Sequence, residues 1–156
     1  MDQAMNIQAE ASLEMLAPCK AVWERVINLS DRPTLKSWSS ISGTWPQETA
    51  QARVVMDKGV DMVRTETVVR MIPDQRLLLK VDAPDFHTTA WLDHRLSGTK
   101  AGCELSISVI VAAAFPEGQG MDRAAYVAGT TEALKQALVA YRAGISAGVP
   151  AKQAPR

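Results

Sequence analysis

A two-residue alternation of apolar and polar side chains recurs along this chain until one long helical stretch replaces it, and that order limits the folds open to it. Residues 7–16 put Ile7, Ala9, Ala11, Leu13 and Met15 on one face and Gln8, Glu10, Ser12 and Glu14 on the other. Successive side chains of a strand point to opposite faces, so this segment reads as a half-buried strand. The same period returns over residues 62–72, 86–96 and 103–111, with shorter extended stretches at 41–45, 52–57 and 76–81. Pro73-Asp74-Gln75, Ala83-Pro84-Asp85 and residues 97–102 divide them as turns, which predicts an antiparallel meander.

Helical spacing appears in three places. After Ala17-Pro18, residues Ala21, Val22, Trp23, Val26, Ile27 and Leu29 predict a helix of about three turns, ended by the Asn28 to Asp31 stretch and Pro33. Residues 34–40 read as a second short helix carrying Trp38. Residues 121–144 read as a long helix with Val127, Thr130, Leu134, Leu138, Tyr141 and Ile145 along one stripe,. A single curved sheet needs one large apolar element over its concave face, and the final helix supplies it. The expected architecture is α+β: a curved antiparallel sheet wrapped around a long C-terminal helix, with two short helices after the first strand. One domain over residues 1–147 and a disordered tail over 148–156 complete the organisation; the tail has two prolines and no aromatic residue,.

Composition removes several function classes. Lysine plus arginine equals aspartate plus glutamate at 17 each, so no net field draws the molecule to nucleic acid or anionic headgroups. The longest apolar run, residues 109–115, falls far short of the roughly 20 residues that span a bilayer. Residues 1–6 carry Asp2 and no positive charge, and no apolar stretch follows, so no export is expected. Cys19 and Cys103 follow no metal-ligand spacing and read as reduced, partly buried thiols in a cytoplasmic protein,. No phosphate loop or nucleotide fingerprint occurs, so no cofactor is expected.

The inward strand faces supply the candidate binding residues. They are Val54 and Met56, then Thr65 and Thr67 on the 62–72 strand, where Arg64, Glu66 and Arg70 are assigned to the solvated convex face. Leu79 follows, then Phe86, Thr88, Ala90, Leu92 and His94 on one face of the 86–96 strand, and Ile107 and Val109 on the next. Tyr126 and Thr130 add hydroxyls from the long helix. Only two phenylalanines are available to fill the bent sheet, so a space is expected. An empty cavity costs about 24 cal/mol per Å³, which a ligand would offset. Sparse hydroxyls in an apolar wall orient a hydrophobic ligand; they are read equally well as local hydrogen bonds to backbone. His94 is the single candidate for acid–base chemistry, and the simpler reading is a hydrogen-bonded structural histidine. His87, Asp85 and Asp93 complete no metal-binding spacing with it, and no metal is expected,. Trp91 falls on the outer face beside His87, Asp93 and Arg95, where it is covered by a loop, turned in by a bulge, or part of a homodimer patch,. Small residues at 118, 120, 124, 125 and 129 suggest an entrance gated by the 116–120 loop.

Pro18-Cys19-Lys20-Ala21-Val22-Trp23 after an alternating strand, Trp38, Pro73-Asp74-Gln75-Arg76-Leu77 at a strand turn and Gly102-Cys103-Glu104-Leu105 opening a late strand together resemble the START/Bet v 1-like (SRPBCC) superfamily, with its polyketide cyclase-like members. The resemblance covers residues 6–146, and Cys103 stands where the family usually has threonine. It implies a helix-grip fold with a pocket for lipids, sterols or aromatic polyketides, and in some members cyclisation or dehydration of a bound polyketide. The residues favour a binding or transport protein for a hydrophobic small molecule. A polyketide aromatase/cyclase or dehydratase and a protein-interaction or co-chaperone domain stay open beside it.

Overall fold

The first strand and the last lie side by side, although more than half of the chain separates them. In the computed structural model, which describes residues 2–116 and 123–146, β1 (Asp2–Met15) pairs antiparallel with β7 (Cys103–Pro116) from Asp2 opposite Pro116 to Met15 opposite Cys103. Between them run α1 (Cys19–Ile27), a 3-10 turn (Leu29–Asp31), β2 (Leu35–Ser42), β3 (Gln51–Asp57), β4 (Asp61–Ile72), β5 (Arg76–Ala83), a second 3-10 turn (Pro84–Phe86) and β6 (Thr88–Gly98), and α2 (Arg123–Ser146) follows β7. The seven strands form one antiparallel sheet in the order β1-β7-β6-β5-β4-β3-β2. This is the α+β helix-grip arrangement expected from the alternation. Of the expected gate over residues 116–120, Pro116 ends β7, and residues 117–120, like the tail over 148–156, lie outside the described residues.

The alternation fixes the core. Ile7 and Ala9 of β1, Leu77, Leu79 and Val81 of β5, Ala90 of β6 and Leu105, Ile107, Val109 and Val111 of β7 are buried on the concave face. From α2, Leu134, Leu138 and Tyr141 meet them, at the helical spacing that puts all three on one stripe. A smaller cluster of Leu29, Ala52, Val54 and Met56, flanked by Trp38, fills the β2–β3 end.

Three expectations are corrected. Residues 34–40 are not a helix: Thr34 takes a left-handed φ of 63°, and the chain then runs as β2, where pairing with β3 decides the conformation. The second helical element is instead the Leu29–Asp31 turn, capped by Asn28, whose Oδ1 accepts from the Ser30 amide. Trp38 stands on β2 and donates its indole N–H to Ser30 Oγ at 3.1 Å.

The second correction concerns β4, whose phase is the reverse of the expected one. Met62, Arg64, Glu66 and Val68 face the interior, while Thr65 and Thr67 share the convex face; Thr67 accepts from Gln51 Nε2. The cause is a bulge. Val68 pairs with Leu79 and Arg70 with Leu78, so Val69 has no partner and is extruded, 45% exposed. One extra residue switches the faces downstream, and Met71 therefore returns to the core.

The third concerns the cysteines, which are joined: Cys19 and Cys103 form a disulfide with a Cα–Cα distance of 4.9 Å. Cys103 pairs with Met15 across the β1–β7 ladder, and a turn of three residues carries the chain from Met15 back to Cys19 at the start of α1. That turn presses on Gly102. A Cβ there would lie 2.5 Å from Ala17 O, and the φ of 151° is itself one that side chains rarely take, so glycine is required. The departure from threonine at 103 thus has a structural use.

Candidate functional site

A cavity of about 370 Å³ lies between the concave face and the second half of α2, within the range of small-molecule pockets. Its sheet side is made by Met56, Leu92, His94 and Ile107, its helix side by Ala133, Leu134, Ala137, Ala140 and Tyr141. Alanines recurring at 133, 137 and 140 leave the room: they flank the Leu134–Leu138–Tyr141 stripe, and a larger side chain on that flank would close it. Gln136, Ala133 and Ala140 remain exposed, so the cavity opens to solvent along the helix.

Of the expected binding residues, Met56, Leu92, His94 and Ile107 are brought together on this wall. Val54, Leu79, Ala90 and Val109 are buried in the core without lining the cavity. Thr65 and Thr67 are on the opposite side of the sheet, a consequence of the inverted β4 phase. Phe86 is not on a strand: it ends the 3-10 turn Pro84–Phe86 and is exposed, and Thr88 turns its hydroxyl to the Phe86 carbonyl at 2.8 Å. Tyr126 and Thr130 are half-buried on the first half of α2, away from the lining. Ala124, Ala125 and Gly129 are exposed there and do not border the cavity, whose opening is further along the helix.

Several polar residues that the sequence reading placed in solvent, or did not single out, dominate one end of the site. Arg32, directly after the 3-10 turn, and Arg64 of β4 both bond Glu66 Oε2; the Arg64 Nε contact is 2.8 Å. Glu66 is fully buried between Ala52 and Val81, its neighbours on the adjacent strands. Burial alone would raise its pKa, but the two guanidiniums overcome that and hold it at about 2,. The arginines respond unequally. Burial works against both charges; at Arg32 the attraction of Glu66 outweighs it and raises the pKa, with Tyr141 adding to the effect. At Arg64 burial and repulsion from Arg32 win, and the value is lowered. Both remain charged at neutral pH. Glu66 Oε1 is buried with no hydrogen-bond partner among the described residues. Lys58, exposed at the mouth, completes the cationic end; partial desolvation and repulsion from Arg64 and Arg32 lower its pKa.

His94 is 5% exposed. Its Nδ1 lies 3.1 Å from the Leu77 carbonyl, which can only accept, so Nδ1 carries the proton and Nε2 is an acceptor,. Burial, reinforced by the charge of Arg32, lowers its pKa from 6.5 to about 4. A base whose folded pKa is depressed stabilises the fold above its unfolded pKa and loses that contribution as pH falls toward the folded one. His94 is therefore expected to make the protein lose about 3 kcal/mol of stability between pH 6.5 and 4,. Urea titrations across that window should show the slope in wild type and its removal in His94→Gln; an unchanged slope in the variant would assign the effect to another group. Among the described residues, no group of three or more His, Cys, Asp or Glu side chains could hold a metal ion.

No protein-family model matches the sequence, and no curated protein matches it. The backbone does match solved structures. A protein of unknown function from Staphylococcus aureus superimposes with a TM-score of 0.73 at 10% identity, over 94% of this chain and 97% of that one. Ara h 8.0201, a Bet v 1-type allergen, matches with a TM-score of 0.66 at 10% identity, over 93% of this chain and 99% of its own. The chain has the Bet v 1-like fold. A third Bet v 1-like match, DynU16 of the dynemicin biosynthetic locus, has a TM-score of 0.67 at 17% identity; it covers 96% of this chain, which spans 51% of that protein. Within this Bet v 1-like chain, no helix of the described residues is long and apolar enough to cross a membrane.

Proposed function

We propose that this Bet v 1-like chain binds a hydrophobic small molecule between α2 and the concave face of its sheet, acting as a carrier or reservoir. The observation that carries the reading is the 370 Å³ cavity itself, walled by Met56, Leu92, Ile107 and the alanines of α2. A well-packed interior keeps few voids larger than a water molecule, and this space holds about a dozen water-sized groups. The fold shared with Ara h 8.0201 supports the reading.

Denaturing extraction followed by mass spectrometry, and thermal-shift screening of fatty acids, sterols and aromatic polyketides, test it. A ligand at a hundred times its dissociation constant adds about 2.7 kcal/mol, and in a chain of this size that raises the midpoint by roughly 5–11 °C. Ala137→Phe, which puts a ring where the cavity is, is expected to abolish the shift while leaving the unliganded midpoint within a few degrees. A shift of equal size in the variant would place binding elsewhere.

A second reading, a polyketide aromatase/cyclase or dehydratase, is favoured by one observation: His94 presents an unprotonated Nε2 on the cavity wall that Tyr141 also lines. Enclosure would fold the substrate and the imidazole would take a proton. Turnover lost in His94→Gln with affinity kept within a few-fold would support it; undiminished product would sink it.

A further inference from the structure

The cavity's polar end carries one sign. Arg32, Lys58 and Arg64 line it, and no aspartate or glutamate does among the described residues. Glu66 lies behind the two arginines and gives a single oxygen to both; two guanidiniums thus stand against one carboxylate, Lys58 adds a third cation, and the end has an excess of positive charge. Donors are also left over. Arg64 uses only Nε toward Glu66, and Glu66 Oε1 is the one buried polar side-chain atom without a partner among the described residues. The remaining guanidinium N–H groups of Arg64 are therefore not sealed in protein; they reach the cavity or the solvent at its mouth. Lys58 makes no ion pair among the described residues and stands at the same mouth. Opposite this end the wall is Leu92, Ile107, Leu134 and alanine.

We propose that the occupant is an apolar carboxylate: a body of about a dozen non-hydrogen atoms, matched to the cavity's volume, whose carboxylate is held by Arg64 and Lys58 with Arg32 behind them. Resting on the small-molecule binding proposed above, the inference adds the ligand's charge and orientation, body against α2 and carboxylate at the mouth. A carboxylate accepts two parallel N–H bonds from a guanidinium.

Isothermal titration calorimetry with two carboxylates, 2-naphthoate and decanoate, and their neutral counterparts, 2-naphthamide and decanol, tests this on the full chain. A hydrogen bond to a charged group corresponds to about tenfold or more in affinity, so each carboxylate is expected to bind at least tenfold more tightly than its neutral counterpart. In Lys58→Glu, a change at an exposed residue whose folding is checked by its thermal midpoint, carboxylate affinity should fall about tenfold while the neutral pair stays within twofold. Ala137→Phe should remove binding of all four, which locates them in the cavity rather than on surface lysines. Neutral compounds binding as tightly as the carboxylates, or carboxylate affinity untouched by Lys58→Glu, would overturn the charge assignment and leave the cavity reading standing. If none of the four binds wild type, the small-molecule reading fails and this inference with it.

Discussion

Glu66→Gln is expected to cost about 3–5 kcal/mol of stability, because removing one partner of a buried ion network leaves the others as uncompensated charges. Arg32 and Arg64 both bond the same Glu66 oxygen, and their side chains are only 8% and 12% exposed. Glutamine keeps the shape and removes only the charge, so no cavity term confuses the result. The same network fixes an acid limb. Glu66 has its pKa lowered from 4.5 to about 2; a carboxyl with a depressed folded pKa stabilises above its unfolded value and loses that contribution as pH falls. Wild type should therefore shed about 3 kcal/mol between pH 4.5 and 2,, a limb that Glu66→Gln should lack. Replacing all three, as Arg32→Met, Arg64→Leu and Glu66→Leu together, is expected to be neutral or stabilising, since no charge is then left to desolvate. Chemical denaturation of the single and triple variants distinguishes the two. A triple variant as unstable as Glu66→Gln would mean that shape, not charge pairing, is what this network contributes.

Reducing the Cys19–Cys103 bond, or replacing both cysteines by serine, is expected to cost a similar amount for a different reason. The bond closes a loop of 84 residues. A cross-link of that span removes about 4.5 kcal/mol of chain entropy from the unfolded state in the loop-closure account, with 2–5 kcal/mol typical of measured cases. For a chain near this length the midpoint should fall by roughly 5–20 °C. Thermal melts with and without reductant read the effect, and the serine pair should be insensitive to reductant. Equal melts in the two conditions would show that the chain folds without this constraint.

What the sequence made legible followed from how locally each signal was written. The strands β1, β5 and β7 and the helix α2 show their own period, so their buried faces are assigned from Ile7, Leu79, Leu105 and Leu138 without any partner. β4 could not be read this way. Alternating Arg64, Glu66 and Arg70 looks the same on a solvated face as in a buried network, because only the arrival of Arg32 from another segment makes the burial tolerable. The extrusion of Val69 is equally silent, since any residue can occupy a bulge. That single phase inversion takes Thr65 and Thr67 out of the site and brings Arg64 and Glu66 into it, whereas Arg32 comes from an irregular segment that carries no period to read. A further signal lies in α2: Ala133, Ala137 and Ala140 recur beside a stripe of large apolar residues, which marks where a helix leaves space. The disulfide was hidden because its partners are 84 residues apart; only the Met15 to Cys103 pairing brings them together.

The chain distances within the cavity carry a last implication. Arg32 and Pro33 come from the first quarter of the molecule, Arg64 and Leu92 from its middle, and Tyr141 from close to its end. No fragment of the chain contains the receptor in miniature, and no partly assembled sheet offers a preliminary version of it. An occupant that recognises this wall recognises only the finished molecule, so its affinity acts entirely on the folded state and reports the completion of the whole topology.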